Sequence, residues 1–148
     1  MSGGQREAIE RLLYEYCHGI DTGDFAATSE LFGVDGLYGL VGSSSAARGS
    51  AQVLAMMRAS VRTYDGVPRT RHVVTNVCID IDPDGTTAAA RSYVQVIHQP
   101  PGGAISPIVV GTYLDRLHLA NGAWLFAERR MRLELTGDLS THLQPGFL

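Results

Sequence analysis

The first half of the chain has the three- and four-residue spacing of apolar positions that amphipathic helices show. The spacing predicts a first helix over residues 6–20, whose apolar stripe consists of Ile9, Leu12, Leu13, Tyr16, Cys17 and Ile20. Gly23 ends this helix, and Asp24 is placed to cap a second, short helix that runs to Phe32. The same spacing predicts a third helix over residues 50–61.

From Arg69 onward the spacing of apolar residues changes to two, which is typical of strands. Four long strands are predicted over residues 72–81, 87–98, 108–119 and 124–135. Short turn sequences separate them, including the hairpin dipeptide Asn121–Gly122, so neighbouring strands are expected to be antiparallel. A further strand over residues 36–41 is predicted to join the edge of the sheet.

This order of elements favours an α+β fold, because the helices come first and the strands follow as a meander. We expect a single domain over residues 1–148, in which three N-terminal helices pack on a strongly curved, mainly antiparallel sheet. The concave face of such a sheet, closed by helices, forms a pocket for a small molecule.

The basic residues exclude several classes of enzyme. All 12 are Arg, so the chain cannot carry out chemistry that needs a Lys side chain, as Schiff-base and pyridoxal phosphate enzymes, P-loop nucleotide hydrolases and kinases do. A net charge of −3 with scattered arginines argues against a nucleic-acid partner. Cys17 and Cys78 show no metal-ligand spacing, so neither a metal nor a cofactor is expected.

The chain also lacks the patterns of membrane insertion and export. Its longest uncharged stretch, residues 92–114, is interrupted by Pro100 and Pro101, so no membrane span is expected. The first seven residues lead into a helix and contain no apolar block like that of a signal peptide. We therefore expect a cytoplasmic protein.

Two polar residues stand at positions where a buried side chain is expected. Asp21 follows Leu13 and Cys17 at steps of four along the first helix, so its carboxylate projects from the apolar stripe, unless it only caps the helix end. His72 begins a strand, where it is either exposed or inward-facing. Because a buried carboxylate needs a hydrogen-bond partner and an imidazole provides one, the two residues together suggest a general-base dyad.

These residues lie in segments that resemble the SnoaL-like branch of the nuclear transport factor 2-like superfamily, which includes scytalone dehydratase, bile acid 7α-dehydratase and hexachlorocyclohexane dehydrochlorinase. The resemblance covers nearly the whole chain, and the segments that carry it are residues 9–21, 23–25, 71–76 and 122–124 and the strand that ends near Arg132. It implies that Asp21 and His72 are the catalytic pair. The lysine that the dehydrochlorinase uses has no counterpart here.

The resemblance to the bile acid enzyme adds two further catalytic candidates. Tyr16 matches a Tyr five residues before the Asp, although it is equally suited to a place in the apolar stripe. The bile acid enzyme also has an Arg on its last strand. The counterpart here is either Arg132, which we prefer, or Arg130. These two residues have the same strand parity, whereas Arg129 has the other. Residues that could line the substrate pocket, or be plain core or rim positions, are Trp124, Phe126, Val74 and His98.

The sequence and the resemblance favour a cofactor-independent enzyme, either a lyase (dehydratase) or an isomerase. Its substrate would be a mostly apolar cyclic molecule of the steroid, terpenoid, aromatic or polyketide type. Two alternatives stay open: a polyketide cyclase with an Asp base alone, and a non-catalytic ligand-binding or assembly subunit of the same fold. An Asp21 oxygen within ~3.2 Å of a ring nitrogen of His72, inside a cavity, would favour the enzyme. A space between sheet and helices that is filled by side chains would favour the non-catalytic subunit.

The resemblance also implies a homodimer, or a higher homo-oligomer, formed through the convex face of the sheet. Tyr113 and Leu117 have the parity opposite to the expected pocket, so we expect them to meet a second copy.

Overall fold

A six-stranded sheet and three helices make up the fold in the computed structural model, which describes residues 2–147. The helices are α1 (Ser2–Thr22), α2 (Phe25–Glu30) and α3 (Gly49–Ser60). The strands are β1 (Leu37–Leu40), β2 (Ala46–Arg48), β3 (Thr70–Ile81), β4 (Thr87–His98), β5 (Ser106–Ala120) and β6 (Ala123–Thr136). A single turn of 3-10 helix follows at Pro145–Phe147.

The strands lie in the order β2-β1-β6-β5-β4-β3. Strands β3 to β6 form an antiparallel meander, and β1 pairs in parallel with β6. The predicted α+β class, with three helices on a curved and mostly antiparallel sheet, is confirmed. The predicted strand 36–41 corresponds to β1, which joins the meander at its edge strand β6, and the short strand β2, which the sequence pattern did not indicate, pairs with β1 on the outside.

Helix α1 packs on the concave face of the sheet and presents its apolar stripe to the core. Ile9 and Leu13 are completely buried. The helix continues two residues beyond its predicted end, so Asp21 lies in its last turn. Gly23 follows with φ of 80°, and the carbonyl of Gly66 packs so closely against it that no side chain could be accommodated. This contact brings the loop before β3 to the end of α1.

An irregularity in β3 reverses which of its residues face the core. The pairing with β4 shifts between Thr75 and Cys78, and Asn76 adopts a φ of 53° within this bulge. Before the bulge, His72 and Val74 point toward the helices, and after it Ile79 does so. The inner face of β3 therefore carries even-numbered residues before the bulge and odd-numbered residues after it.

A second bulge acts in the same way on β6. Phe126 and Glu128 pair with consecutive residues of β5, which leaves Ala127 as the extra residue. The buried set therefore changes from Phe126 before the bulge to Arg129 after it, while Arg132 is exposed on the outer face of the sheet, opposite α1. The prediction that Arg132 faces the pocket is wrong, because the bulge at Ala127 turns the even-numbered residues that follow it to the outer face.

The C-terminal segment, residues 137–147, closes one end of the sheet. The backbone N–H of Arg62 donates to the carbonyl of His142, and that of Gln144 donates to Ser60, both at 2.8 Å. The hydroxyl of Tyr64 donates to the carbonyl of Thr141. These bonds fix the segment against the residues that follow α3.

Candidate functional site

Asp21 and His72 form a closely bonded pair between the end of α1 and the start of β3. Ring nitrogen Nδ1 of His72 lies 2.6 Å from Oδ1 of Asp21, and the backbone N–H of His72 donates to Oδ2 at 2.9 Å. The hydroxyl of Thr70 donates to Oδ1 at 2.8 Å. Both side chains are nearly buried, with 9% of the His72 side chain and 10% of the Asp21 side chain exposed.

These bonds favour the ionised form of the Asp21 carboxylate. Burial by itself would raise the pKa of Asp21, but the hydrogen bonds and charge of His72, together with the Thr70 hydroxyl, lower it below its usual value. The carboxylate is therefore ionised and can only accept, so Nδ1 of His72 carries the hydrogen. In the neutral ring, Nε2 then holds a free lone pair, which is the group that a general base needs.

The dyad opens onto a cleft of about 370 Å³ between α1 and β3. Its wall is part apolar and part polar and is formed by Tyr14, Cys17, His18, Asp21, Thr22, Thr70, Arg71, His72 and Val74. Burial raises the pKa of the Cys17 thiol to about 11, so this thiol stays protonated and contributes a neutral surface. Of the residues predicted to line the pocket, Val74 lies in this cleft.

Aromatic side chains fill the interior of the cone beside the cleft. Tyr16 is 2% exposed and packs edge-on against Tyr113 and Phe126, with ring centroids 5.9 Å apart in each case. Phe126 in turn stacks on Phe32 at 5.0 Å. Trp124 is also buried in this core. Trp124 and Phe126 thus lie in the packed interior, and neither contributes to the wall of the cleft.

A buried ion pair, which the sequence did not predict, lies among these rings. Arg129 donates two hydrogen bonds to Asp115, at 2.8 and 2.9 Å, and both side chains are fully buried. The guanidinium carbon lies 4.4 Å from the ring centre of Tyr16 and 3.7 Å from that of Tyr113. Nη1 of Arg129 has no hydrogen-bond partner among the described residues.

Burial and charge fix the protonation of this cluster. Burial alone would lower the pKa of Arg129, but the carboxylate of Asp115 raises it overall, so the guanidinium stays charged. Burial raises the pKa of Tyr16 and of Tyr113 well above their usual value, despite the nearby cation. Both phenols therefore keep their hydrogen and can donate it. Arg129 is the inward-facing arginine of β6, in the place where Arg132 was expected.

The outer face of the sheet also differs from expectation. Tyr113 and Leu117 are each 1% exposed within a single chain, so they belong to the core and cannot meet a second copy. The outer face instead carries Tyr93, which is 56% exposed, and Leu114. Neighbouring charged residues of both signs on this face are Asp80, Arg91, Arg116, Glu128, Arg130, Arg132 and Glu134.

His98 lies beside the dyad, and its ring is close to that of His142. His98 ends β4 opposite Thr70 and is 1% exposed. Its ring centroid lies 5.7 Å from that of His142, which the C-terminal segment supplies. No local sequence signal pointed to His142, because only the fold brings the end of the chain to this position.

Residues 2–147 present neither a cluster of metal ligands nor a membrane-spanning helix. No group of three or more His, Cys, Asp or Glu side chains is arranged to hold a metal ion in this part of the chain. None of its helices combines the length and the apolar character needed to cross a membrane.

Known proteins and solved structures resemble this chain over most of its length. The profile of the SnoaL-like domain matches residues 4–130. Comparison with curated proteins gives no match. Among solved structures, a candidate scytalone dehydratase from Novosphingobium aromaticivorans is similar, with a TM-score of 0.75 and 25% identity over 93% of this chain and 89% of the other.

Two other solved structures support the same fold. A nuclear transport factor 2-like protein with a cystatin-like fold, also from N. aromaticivorans, has a TM-score of 0.76 and 26% identity over 93% of this chain and 86% of the other. The ActVI-ORFA protein of Streptomyces coelicolor has a TM-score of 0.73 and 19% identity over 88% and 98%. The resemblance predicted from the sequence is confirmed, and the chain belongs to the SnoaL-like family of the nuclear transport factor 2-like superfamily.

Proposed function

We propose that the protein is a cofactor-independent lyase or isomerase, in which Asp21 and His72 act as a general-base dyad on a mostly apolar cyclic molecule. The observation that carries this proposal is the 2.6 Å contact between Nδ1 of His72 and Asp21 at the wall of the cleft. Asp21 orients the ring and stabilises the imidazolium that forms when Nε2 takes a proton. The apolar surface that Val74 and Tyr14 contribute to the cleft supports an apolar substrate.

The proposed reaction begins with a carbon next to a carbonyl group. Nε2 of His72 removes a proton from this carbon, and the electron pair of the broken C–H bond moves through the carbonyl group to give an enolate. In the lyase, the enolate expels hydroxide from the neighbouring carbon, and the imidazolium returns its proton to form water. In the isomerase, the imidazolium delivers the same proton to another carbon. Either course restores neutral His72 and needs no external reactant.

The enolate oxygen needs a hydrogen-bond donor, and we propose that Tyr16 provides it. Tyr16 and Cys17 are consecutive in α1, so the helix that contributes the cleft residue Cys17 also carries the Tyr16 hydroxyl, which its raised pKa keeps protonated. Arg129 lies against the Tyr16 ring and has an unpartnered Nη1. We assign the role of oxyanion donor to Tyr16 and a positioning role to Arg129, which packs on the Tyr16 ring and takes the place first considered for Arg132.

The geometry disfavours a cyclase that uses Asp21 alone as its base. Both oxygens of the Asp21 carboxylate already accept hydrogen bonds, three in total, from Thr70 and His72. These bonds lower the pKa of Asp21, which makes the carboxylate a weaker base. A base that works alone would need a free oxygen and a raised pKa.

A non-catalytic ligand-binding subunit is the second candidate, and the filled interior favours it. Phe32, Phe126 and Arg129 have no exposed surface, so this part of the cone holds side chains in place of a ligand. The two candidates differ in one respect that can be measured. Only the enzyme accelerates the exchange of a carbon-bound hydrogen.

The test is hydrogen exchange in D₂O with a series of cyclic ketones of one to four rings, followed by mass spectrometry. We expect the wild-type protein to accelerate exchange next to the carbonyl of at least one ketone. Substitution His72→Ala should slow that exchange by ~10²- to 10⁴-fold, the usual contribution of a general base. His118→Ala, at the far end of β5, is the matched control and should leave the rate unchanged. Exchange no faster than that of the His72→Ala variant across the whole series would overturn the enzymatic proposal.

We also propose that two copies associate through the outer face of the sheet. Arg130 is paired with Glu128, but Arg91, Arg116 and Arg132 have no ion-pair partner among the described residues. A face with charges of both signs around Tyr93 can be complementary to itself across a twofold axis. Light scattering should give twice the chain mass, and Tyr93→Glu should give the mass of a single chain. A monomeric wild-type protein would refute the dimer.

A further inference from the structure

Tyr14 lies between two grooves that run along α1. One is the dyad cleft, of about 370 Å³. The other is a groove of about 700 Å³ over the earlier part of the helix, and its wall includes the charged residues Glu7, Arg11 and Glu15. Within residues 2–147 the two grooves share only Tyr14 and His18. The side chains of these two residues therefore separate the grooves.

The two walls of the dyad cleft run in opposite directions. Arg6, early in α1, donates to the carbonyl of Ile79 at 3.4 Å, whereas Asp21, in the last turn, accepts from the backbone of His72. The end of α1 therefore lies beside the start of β3, and residues earlier in α1 lie beside residues later in β3.

The dyad stands at one end of the cleft and Tyr14 at the other. Tyr14 and Asp21 are separated by almost two helical turns, which puts both side chains on one face of α1, ~10 Å apart along its axis. On the opposite wall Val74 is the last residue of β3 to line the cleft, and the bulge that follows changes which residues face α1. The Tyr14 ring therefore ends the cleft ~10 Å from the dyad.

The Tyr14 side chain is placed to meet the far end of a bound molecule. It is 41% exposed, so it is not packed into the core as Tyr16 is. Its ring offers a flat apolar face to a cyclic molecule. An apolar molecule that extended past this ring would have to displace it and lie among the charged side chains of the neighbouring groove, which is unfavourable.

We propose that Tyr14 is a specificity-determining residue, whose ring limits the substrate to molecules of one or two fused rings. The inference rests on the proposed function and adds the size of the substrate to it. The carbonyl end of the molecule meets Nε2 of His72, and the opposite end packs against Tyr14. The cleft volume of about 370 Å³ suits a small molecule, because it lies near the lower limit of the ~300–1,000 Å³ that ligand pockets usually have.

The experiment compares two ketones that differ by one ring, α-tetralone and its linear benzo-fused homologue. Both have the same CH₂ group next to the carbonyl, so a difference between them reflects the length of the molecule. Exchange in D₂O gives kcat and KM, and NMR titration in H₂O gives Kd whether or not exchange occurs. We expect the wild-type protein to bind α-tetralone at least ~10-fold more tightly than the homologue, the least that an apolar pocket achieves against a group it cannot accommodate.

Substitution Tyr14→Ala removes the ring and extends the cleft into the neighbouring groove. The Kd and KM of the homologue should fall ~10-fold, with a much smaller change in kcat, because Tyr14 does not contact the reacting carbon. Alanine is favourable in a helix, so this variant should fold. Tyr14→Phe retains the ring and should restore the preference for α-tetralone. Glu7→Ala is the matched control on the same helix, because Glu7 lines only the neighbouring groove, and it should leave the preference unchanged.

Equal affinity of the wild-type protein for the two ketones, no binding of either, or an unchanged preference in Tyr14→Ala would overturn the inference. Failure of the proposed function gives a different result, because Kd does not depend on proton transfer. A preference for α-tetralone that Tyr14→Ala removes, without exchange of either ketone, would leave the size limit standing and remove the enzyme. Exchange of both ketones with equal kcat/KM would retain the enzyme and remove the size limit.

Discussion

The carboxylate of Asp21 binds His72 at two points, the backbone N–H at 2.9 Å and ring nitrogen Nδ1 at 2.6 Å. Because one carboxylate holds both the main chain and the ring, it fixes the imidazole relative to β3. The ring can rotate only if it breaks the shorter of these bonds. The second nitrogen, Nε2, is therefore held in one direction, as a positioned base requires.

Substitution Asp21→Asn tests this arrangement. The amide retains one oxygen, which cannot accept from Thr70 and from both donors of His72, and its NH₂ group favours the ring form in which Nδ1 accepts. Nε2 would then carry the hydrogen and lose its basic lone pair. We expect ketone exchange to fall by at least ~10²-fold, since this is the lower range of general-base catalysis.

Ring-nitrogen NMR gives an independent measure of the same substitution. The wild-type protein should show His72 with its hydrogen on Nδ1, and Asp21→Asn should show it on Nε2. Thr70→Val is the matched control, because it removes a hydrogen bond to Asp21 and leaves the two contacts with His72 in place. An Asp21→Asn protein with wild-type exchange would show that the carboxylate does not orient the base.

The buried ion pair leads to a prediction about stability. Asp115→Asn removes the charge that compensates Arg129 and leaves the guanidinium buried among aromatic rings. We expect the free energy of unfolding to fall by about 3–5 kcal/mol, the usual cost of breaking a buried pair from one side. Urea unfolding measures this change. Glu128→Gln is the control, and it should cost no more than about 1 kcal/mol because its pair with Arg130 is partly exposed.

Replacement of both charged residues distinguishes the contribution of the ion pair to the free energy of unfolding from the destabilisation caused by one unpaired buried charge. Asp115→Leu combined with Arg129→Met should be more stable than Asp115→Asn, because no unpaired charge remains in the interior. If the double variant unfolds more easily than the single one, the pair itself stabilises the fold. Ketone exchange should nevertheless fall in the double variant, because the Tyr16 ring loses the guanidinium that packs against it.

The dyad could be predicted from the sequence because its two halves are governed by local patterns. Asp21 follows Leu13 and Cys17 at helical spacing, and α1 continues as a regular helix through all three. His72 lies near the start of a strand before any irregularity, so its parity is simple. The order of helices and strands likewise follows from periodicity, and the fold class was correct for that reason.

The interior arginine could not be predicted in this way. Periodicity assigns faces correctly only while the strand is regular, and one extra residue at Ala127 exchanges the faces of Arg129 and Arg132. Nothing in the composition around Ala127 indicates a bulge. The predicted position of Tyr113 was wrong as well, because the alternation along a strand separates its two faces but does not say which of them is turned toward the helices.

His142 shows a second limit of the sequence. It lies in a segment without periodicity, 70 residues beyond His72, and its approach to His98 depends on backbone bonds to residues 60–62. Such a contact is a property of the complete tertiary structure. The C-terminal segment therefore needs its own experimental test.

The titration of His142 makes stability depend on pH in a defined range. Burial, and next the nearby His72 and His98, lower its pKa to about 4, whereas Asp21 has the opposite effect on it. An unfolded histidine has a pKa of about 6.5. Between these two values the unfolded chain binds a proton at this position that the folded chain does not, so acidification favours unfolding. Above about pH 6.5 neither state is protonated there, and the effect is absent.

We therefore expect the free energy of unfolding to decrease as the pH is lowered from 6.5 to 4, by up to about 1.4 kcal/mol per pH unit from this one group. The lowered pKa of Asp21 acts separately, because stability from a carboxylate is lost only below its usual pKa of about 4. Urea unfolding at a series of pH values measures the slope. His142→Asn removes the titrating ring and should flatten the curve in this range. Equal slopes in the wild-type protein and the His142→Asn variant would show that the ring of His142 titrates in the folded protein as it does in water.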